Sequence, residues 1–335
     1  MLEDPQRRPP DRAGAGVGRT TGRVAVVVPC LDEAAAVGKV VDDLRAALPA
    51  AVVYVYDNGS TDATAEVARA HGAVVRSEPR PGKGNVIRRA FADVEADTYV
   101  LIDGDDTYDA SAAGDLVRLL LDEGLDHVVG VREAGTLTAY RRGHAAGNRL
   151  LNGVVSRVFG TPVTDMLSGY RVMSRRFVKS FPAISRGFEV ETELTVHAVN
   201  LRVPQREVPV GFRDRAEGSE SKLRTYRDGW RILSWIARLA RYERPLLVHA
   251  LIGAVLVLVA LALGIPVVAE FARTGLVPRF PTAILATGLV LVAVLVTAVG
   301  VILDAVHRAS DEASRLAYLQ HPATHRAGDA ARVLR

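Results

Sequence analysis

The chain has 335 residues, a formal net charge of +4 and one cysteine, Cys30. That length allows one sizeable domain plus an appendage. A lone cysteine excludes an intramolecular disulfide framework and fits a reducing compartment.

The charge is unevenly spread: residues 93–133 carry a net −10 and residues 141–186 a net +8. An acidic block beside a basic one suits a metal site facing an anion site, although two solvated surfaces of opposite sign give the same pattern. Residues 1–22 are rich in Pro, Gly and Arg and hold no apolar run, so they read as a disordered tail and not a signal peptide.

Strand and helix patterns then alternate. Arg23–Val28 predicts an apolar strand, followed by a loop at Pro29–Glu33 and a helix to about Leu48. Val52–Tyr56 is the next strand, ending at Asp57-Asn-Gly-Ser-Thr-Asp62, and a helix runs on to Gly72, a natural C-cap residue. Ala73–Arg76 predicts a short strand and Gly84–Val94 a helix, entered through Arg80-Pro-Gly-Lys-Gly84. Thr98–Ile102 predicts a buried strand that leads into Asp103-Gly-Asp105, and His127–Val131 a further strand. Strands alternating with helices imply a mainly parallel sheet with covered faces. Ligands of such sheets bind beyond the carboxyl ends of the strands, where these polar loops converge.

Each loop has a chemical reading. Asp103 and Asp105 stand side by side at the end of an apolar strand, and such a pair persists most easily around a divalent cation such as Mg²⁺ or Mn²⁺. Asp57 is placed to accept hydrogen bonds from a base or ribose, and Gly59 and Ser60 permit a tight turn; taken alone, this segment reads better as an N-capped turn. Lys83 lies between two glycines before a helix N-terminus, a setting that suits anionic oxygen, although Arg80–Gly84 also reads as an ordinary turn.

Two runs in the last third, Leu246–Ala269 and Thr282–Leu303, contain no charged residue. At about 1.5 Å per residue each exceeds the roughly 30 Å hydrocarbon thickness, so a transmembrane hairpin is preferred over buried core helices. Arg238, Arg241 and Arg244 precede the first run and His307, Arg308 and Arg315 follow the second, which puts both ends on the cytoplasmic side. Between the strand–helix region and the first run, Leu223, Tyr226, Trp230, Leu233 and Ala237 recur at helical spacing among arginines. That is the pattern of a basic amphipathic helix on an anionic leaflet, or of a surface helix packed on the preceding domain.

Val-Val-Val-Pro-Cys-Leu-Asp-Glu33, Tyr-Asp-Asn-Gly-Ser-Thr-Asp62 and Asp103-Gly-Asp105 together resemble the signatures of family-2 glycosyltransferases with the GT-A fold. Asp165-Met-Leu-Ser-Gly-Tyr-Arg171 and Phe212-Arg-Asp-Arg-Ala-Glu-Gly-Ser-Glu-Ser-Lys222 are similar to segments of the dolichol- and polyprenyl-phosphate sugar transferases. The resemblance implies an α/β, Rossmann-like GT-A domain over residues 23–222. An amphipathic juxtamembrane helix (223–245), two transmembrane helices (246–269 and 282–303) and a cytoplasmic tail (305–335) would follow. It also implies roles: Pro29, Glu33, Asp57, Gly59, Lys83 and Asp103 at the donor nucleotide, Asp103 and Asp105 at the metal, and Arg132 facing the phosphates. Arg141 or Arg142, with Arg215, Ser221 and Lys222, would bind the acceptor phosphate. The residue two past the second aspartate, often Gln in the family, is Thr107 here, and Asn148 stands nearest to where a serine is expected after Arg141 and Arg142.

The expected reaction is inverting transfer of one hexose from a UDP- or GDP-sugar to a polyprenyl monophosphate at the plasma membrane. The expected partners are the sugar donor, the lipid acceptor and the bilayer, with no nucleic acid; self-association is left open. A phosphate acceptor is already an anion near neutral pH and needs positioning more than a base. A hydroxyl acceptor would need a base, for which Asp165, Glu189, Glu191 and Glu193 are candidates; Glu189 and Glu193 share one helix face and Glu191 points elsewhere.

Overall fold

The computed structural model describes residues 22–132, 164–187, 189–213 and 244–324. Arg141, Arg142, Arg215, Ser221 and Lys222, the tail before Gly22 and the amphipathic segment before Arg244 lie outside the described residues.

The first part of the chain alternates β1 (Val24–Cys30), α1 (Val37–Ala47), β2 (Val52–Asp57), α2 (Thr64–Ala70), β3 (Val74–Ser77), α3 (Lys83–Asp93) and β4 (Thr98–Leu101). It continues through α4 (Ala113–Glu123), β5 (His127–Arg132), β6 (Arg171–Ser174), α5 (Arg175–Ser180), α6 (Val190–Leu201) and β7 (Gln205–Val210). The seven strands form one sheet in the order β3-β2-β1-β4-β6-β5-β7. All run parallel except β6, which is antiparallel to both β4 and β5.

The five strands that apolar runs predict are all present. β6 and β7 are additional, and neither carries a long apolar run: β6 is four residues long and opens on Arg171, while β7 opens on Gln205, Arg206 and Glu207 and has Pro209 between its two valines. The two-residue period of β1 and β4 makes two cores. Val26, Val28, Cys30, Val100 and Ile102 pack with α1 and α4 on one face, while Ala25, Val27, Tyr99 and Leu101 pack with α3, α5 and α6 on the other. Each fully buried valine or leucine contributes about 1.5–3 kcal/mol, so the central strands anchor the loops at their ends.

Two long helices close the described chain: α7 (Pro245–Thr274) and α8 (Phe280–Leu319). They pack antiparallel through small residues, with Gly253 against Thr297, Gly264 against Ala286 and Gly300 against His249. Only 17 % and 11 % of their most apolar stretches are buried by the rest of the fold, which sets them apart from core helices of a soluble domain. α8 runs on as helix well past the apolar run that ends at Leu303, and its last turns reach back to the α/β domain.

Candidate active site

The loops after β1, β2, β3 and β4 meet at one edge of the sheet, and the first two are sewn together. The Asp32 amide donates to Ser60 Oγ at 3.0 Å, and the Thr61 amide returns a hydrogen bond to Asp32 Oδ1 at 2.7 Å. The Glu33 amide donates to Thr64 Oγ1 at 2.8 Å, so Pro29 and Glu33 are held beside the second loop. Asp57, the last residue of β2, accepts from the Ser60 amide at 3.1 Å across a turn in which Gly59 has φ +85°. Asn58, which sequence reasoning passed over, links the second loop to the third. Its Nδ2 donates to the Glu78 and Arg80 carbonyls, both at 2.8 Å, and its Oδ1 accepts from the Gly82 amide at 2.7 Å.

Glycine is required at Gly82 twice over: φ is +118°, and a Cβ there would overlap the Arg186 carbonyl. This close approach seats the first turn of α3 against the loop that precedes α6. Lys83 is thereby buried, its ammonium held between Asp103 and Glu191 Oε1, the latter at 2.5 Å. Burial alone would pull the Lys83 pKa down, but Asp103 and Glu191 outweigh it and push the pKa above the ordinary lysine value. The Glu191 carboxyl is raised, first by burial and also by Asp103, with Lys83 opposing.

Of the three glutamates, Glu191 is therefore the one that enters the site. Glu193 instead accepts the Ile184 and Ser185 amides at 2.7 and 2.8 Å and braces the neighbouring loop. Glu189 lies beside Gly187. No sequence signal short of asking what neutralises a buried Lys83 would have singled out Glu191, because the pairing depends on how α3 meets α6.

Asp103 and Asp105 follow β4. Gly104 between them packs on Cys30, and Gly169 packs on the Asp103 carboxylate; a Cβ at either glycine would overlap its neighbour. Asp105 is buried, with Oδ1 accepting from Thr107 Oγ1 at 2.6 Å. The Tyr108 hydroxyl accepts the Gly169 amide at 2.9 Å, and burial pushes its pKa up to about 12. Tyr108 bridges to Phe212, and the Arg213 amide donates to the Thr107 carbonyl at 2.8 Å, which brings the start of the 212–222 segment to the paired aspartates.

Arg132 ends β5 on the same edge. It holds Asp165 by two bonds, Nε to Oδ2 at 2.7 Å and Nη2 to Oδ1 at 2.6 Å, and lies 5.6 Å from the centroid of the Phe212 ring. Arg171, fully buried in β6, donates to the Met166 and Ser168 carbonyls at 2.9 and 3.0 Å and so fixes the loop that carries Gly169. It also donates to His127 Nε2 at 3.2 Å, leaving Nδ1–H to donate to Gln205. Burial and the Arg171 charge pull the His127 pKa down to about 3, so this imidazole is neutral.

Among the described residues no preassembled cluster of three His, Cys, Asp or Glu ligands is present. The hard oxygens of Asp103 and Asp105 nevertheless suit Mg²⁺ or Mn²⁺, and the Lys83 ammonium already stands as a cation on Asp103. Glu191 Oε2 is buried and has no hydrogen-bond partner among the described residues, which leaves an acceptor at this place unused.

The profile of "Glycosyl transferase family 2" matches residues 25–181. Glycosyltransferase AglJ of Haloferax volcanii is 34% identical over 241 residues, covering 70% of this chain and 77% of the relative. The dolichyl-phosphate hexose transferase of the same organism is 29% identical over 222 residues, covering 66% of this chain and 95% of the relative. Among solved structures, glucosyl-3-phosphoglycerate synthase from Mycobacterium tuberculosis, in complex with Mn²⁺, UDP and glucosyl-3-phosphoglycerate, superposes with a TM-score of 0.54 at 25% identity. That match covers 66% of this chain and 80% of the synthase.

Proposed function

This chain belongs to glycosyl transferase family 2, with a GT-A-like domain and a glycosyltransferase's activity, and on that premise we propose that it is an inverting, membrane-anchored hexosyltransferase. It moves one sugar from a UDP- or GDP-hexose to a polyprenyl monophosphate on the cytoplasmic face. The observation that carries this reading is a single chain holding both parts: a carboxylate–lysine constellation at the sheet edge and an antiparallel apolar hairpin that the rest of the fold leaves mostly uncovered. The lipid acceptor draws support from the Haloferax dolichyl-phosphate hexose transferase. The nucleotide and the divalent ion draw support from the Mycobacterium synthase complex.

Asp103 and Asp105 would hold Mg²⁺ or Mn²⁺, which supplies compensation for the charge that develops on the leaving nucleoside diphosphate. Pro29, Glu33, Asp57 and Gly59 would line the nucleotide pocket, and Lys83 brings a second cation to the diphosphate. Arg132 is committed to Asp165, so its part is to hold the loop of Gly169 and Tyr170 against Asp103 while lending its charge to the phosphates. Arg141 or Arg142, Arg215, Ser221 and Lys222 are proposed for the acceptor phosphate.

One observation favours a second reading, a hydroxyl acceptor: Arg132 engages both oxygens of Asp165, whereas Lys83 engages one oxygen of Glu191 and the other has no partner among the described residues, beside a raised pKa, as a base would need. The test is to incubate purified full-length protein with Mn²⁺, a panel of nucleotide sugars and either undecaprenyl phosphate or acceptors that offer a sugar or lipid hydroxyl. Lipid-linked product is the expected result. Product with hydroxyl acceptors alone would replace the first reading by the second.

A further inference from the structure

Asp126 lies just before β5, at the edge of the sheet opposite the site, and is fully buried. Ser174 Oγ at 2.7 Å and Arg176 Nε at 2.5 Å donate to its Oδ1, and Arg176 Nη2 at 2.5 Å and the Tyr318 hydroxyl at 2.7 Å to its Oδ2. The Arg176 guanidinium lies 4.6 Å from the centroid of the Tyr318 ring, and Thr324 Oγ1 donates to the Leu125 carbonyl at 3.2 Å. The end of α8 is thus latched to the far edge of the sheet by a buried, charge-assisted network.

We propose that α8 beyond Leu303 is a strut that fixes the domain's orientation, with the site edge turned to the bilayer. The lengths agree. Fifteen helical residues from Leu303 to Tyr318 span about 22 Å, and the six residues of β5 span about 20 Å. A strut that runs along the strands from the apolar layer and grips the far edge would bring the near edge to the headgroups. On that near edge Leu31, Leu167 and Ile184 stand exposed, apolar residues suited to lipid. The strut rests on the reading of α7 and α8 as a bilayer hairpin.

The test uses full-length protein in vesicles containing headgroup-region spin-labelled lipid, with a fluorophore on Ile184→Cys at the site edge or on Val74→Cys at the far edge. Cys30 is buried and its thiol is pushed well above the ordinary value, so it takes no label. Quenching several-fold stronger at 184 than at 74 is expected. Tyr318→Ala should erase that contrast, while Tyr318→Phe, which keeps the ring over Arg176, should retain most of it. Equal quenching in the parent chain, or an unchanged contrast in Tyr318→Ala, overturns the strut. Carbonate washing separates the two ideas: a chain that washes off the vesicles sinks both the hairpin and the strut, whereas one that stays but shows equal quenching sinks the strut alone.

Discussion

The two sides of the site edge are built on different principles. On the β3-β2-β1-β4 side, consecutive loops lock to one another through backbone amides and short polar side chains such as Asp32, Asn58 and Ser60. On the β6-β5-β7 side, the geometry hangs on buried charges: Arg132 with Asp165, Arg171 on loop carbonyls, and Lys83 reaching across to Glu191. The first arrangement tolerates the loss of any one bond, because each contributes only about 1 kcal/mol. The second does not, because a buried charge left alone is costly.

Four measurements would break or sharpen that contrast. The largest effect is expected from Asp105→Ala, which should lower transfer by about 10³-fold, in line with the loss of a principal electrostatic group, while membrane insertion persists; unchanged turnover would remove the aspartate from the site. Next is Lys83→Met, expected to cost about 10²-fold in kcat and to leave Asp103 and Glu191 facing each other without a cation. Because the Glu191 pKa is already raised, this variant should melt higher as pH is lowered through the carboxylate range, and adding Glu191→Gln should recover stability at neutral pH. A double variant no more stable than Lys83→Met would contradict the coupling.

Asp165→Asn should cost about 3 kcal/mol, the usual effect of breaking a buried pair, read as a lower denaturation midpoint. Activity lost with an unchanged midpoint would instead mark Asp165 as a chemical base. The smallest effect concerns the neutral imidazoles. Burial pulls His197 down to about 4, and His127 stands at about 3, both from an ordinary 6.5. The unfolded chain then takes up protons that the folded chain refuses, so their contribution is whole above about pH 6.5 and is lost as pH falls toward about 4 for His197 and about 3 for His127. His197→Phe should flatten that acid limb in urea titrations at stepped pH, and a limb of unaltered slope would exclude His197 as its source.

The same contrast decides what could be read from the sequence. The loops after β1, β2, β3 and β4 are legible because each is a contiguous motif at the end of an apolar strand, and Gly82 and Gly104 carry their steric reason in place. β6 and β7 were not legible, since neither has a long run of apolar residues to betray it. Glu191 is one of three candidate glutamates in the sequence, where helical spacing groups Glu189 with Glu193; which of them faces Lys83 is settled by helix packing. The helical continuation beyond Leu303 was also unseen. Charge begins there and ends a hydropathy pattern, yet the Ala-, Arg-, Glu- and Leu-rich stretch that follows remains a good helix former.

At Gly300 α8 packs closely on α7, against His249. From that pivot to Tyr318 the helix extends about 27 Å without a break. In a bilayer the hairpin would change its tilt as the hydrocarbon layer thickens or thins. A rotation of roughly 10° about the pivot would carry the helix tip about 5 Å over that length, and the domain latched to it through Tyr318 and Asp126 would follow. Lipid thickness and domain attitude would then be mechanically geared to one another.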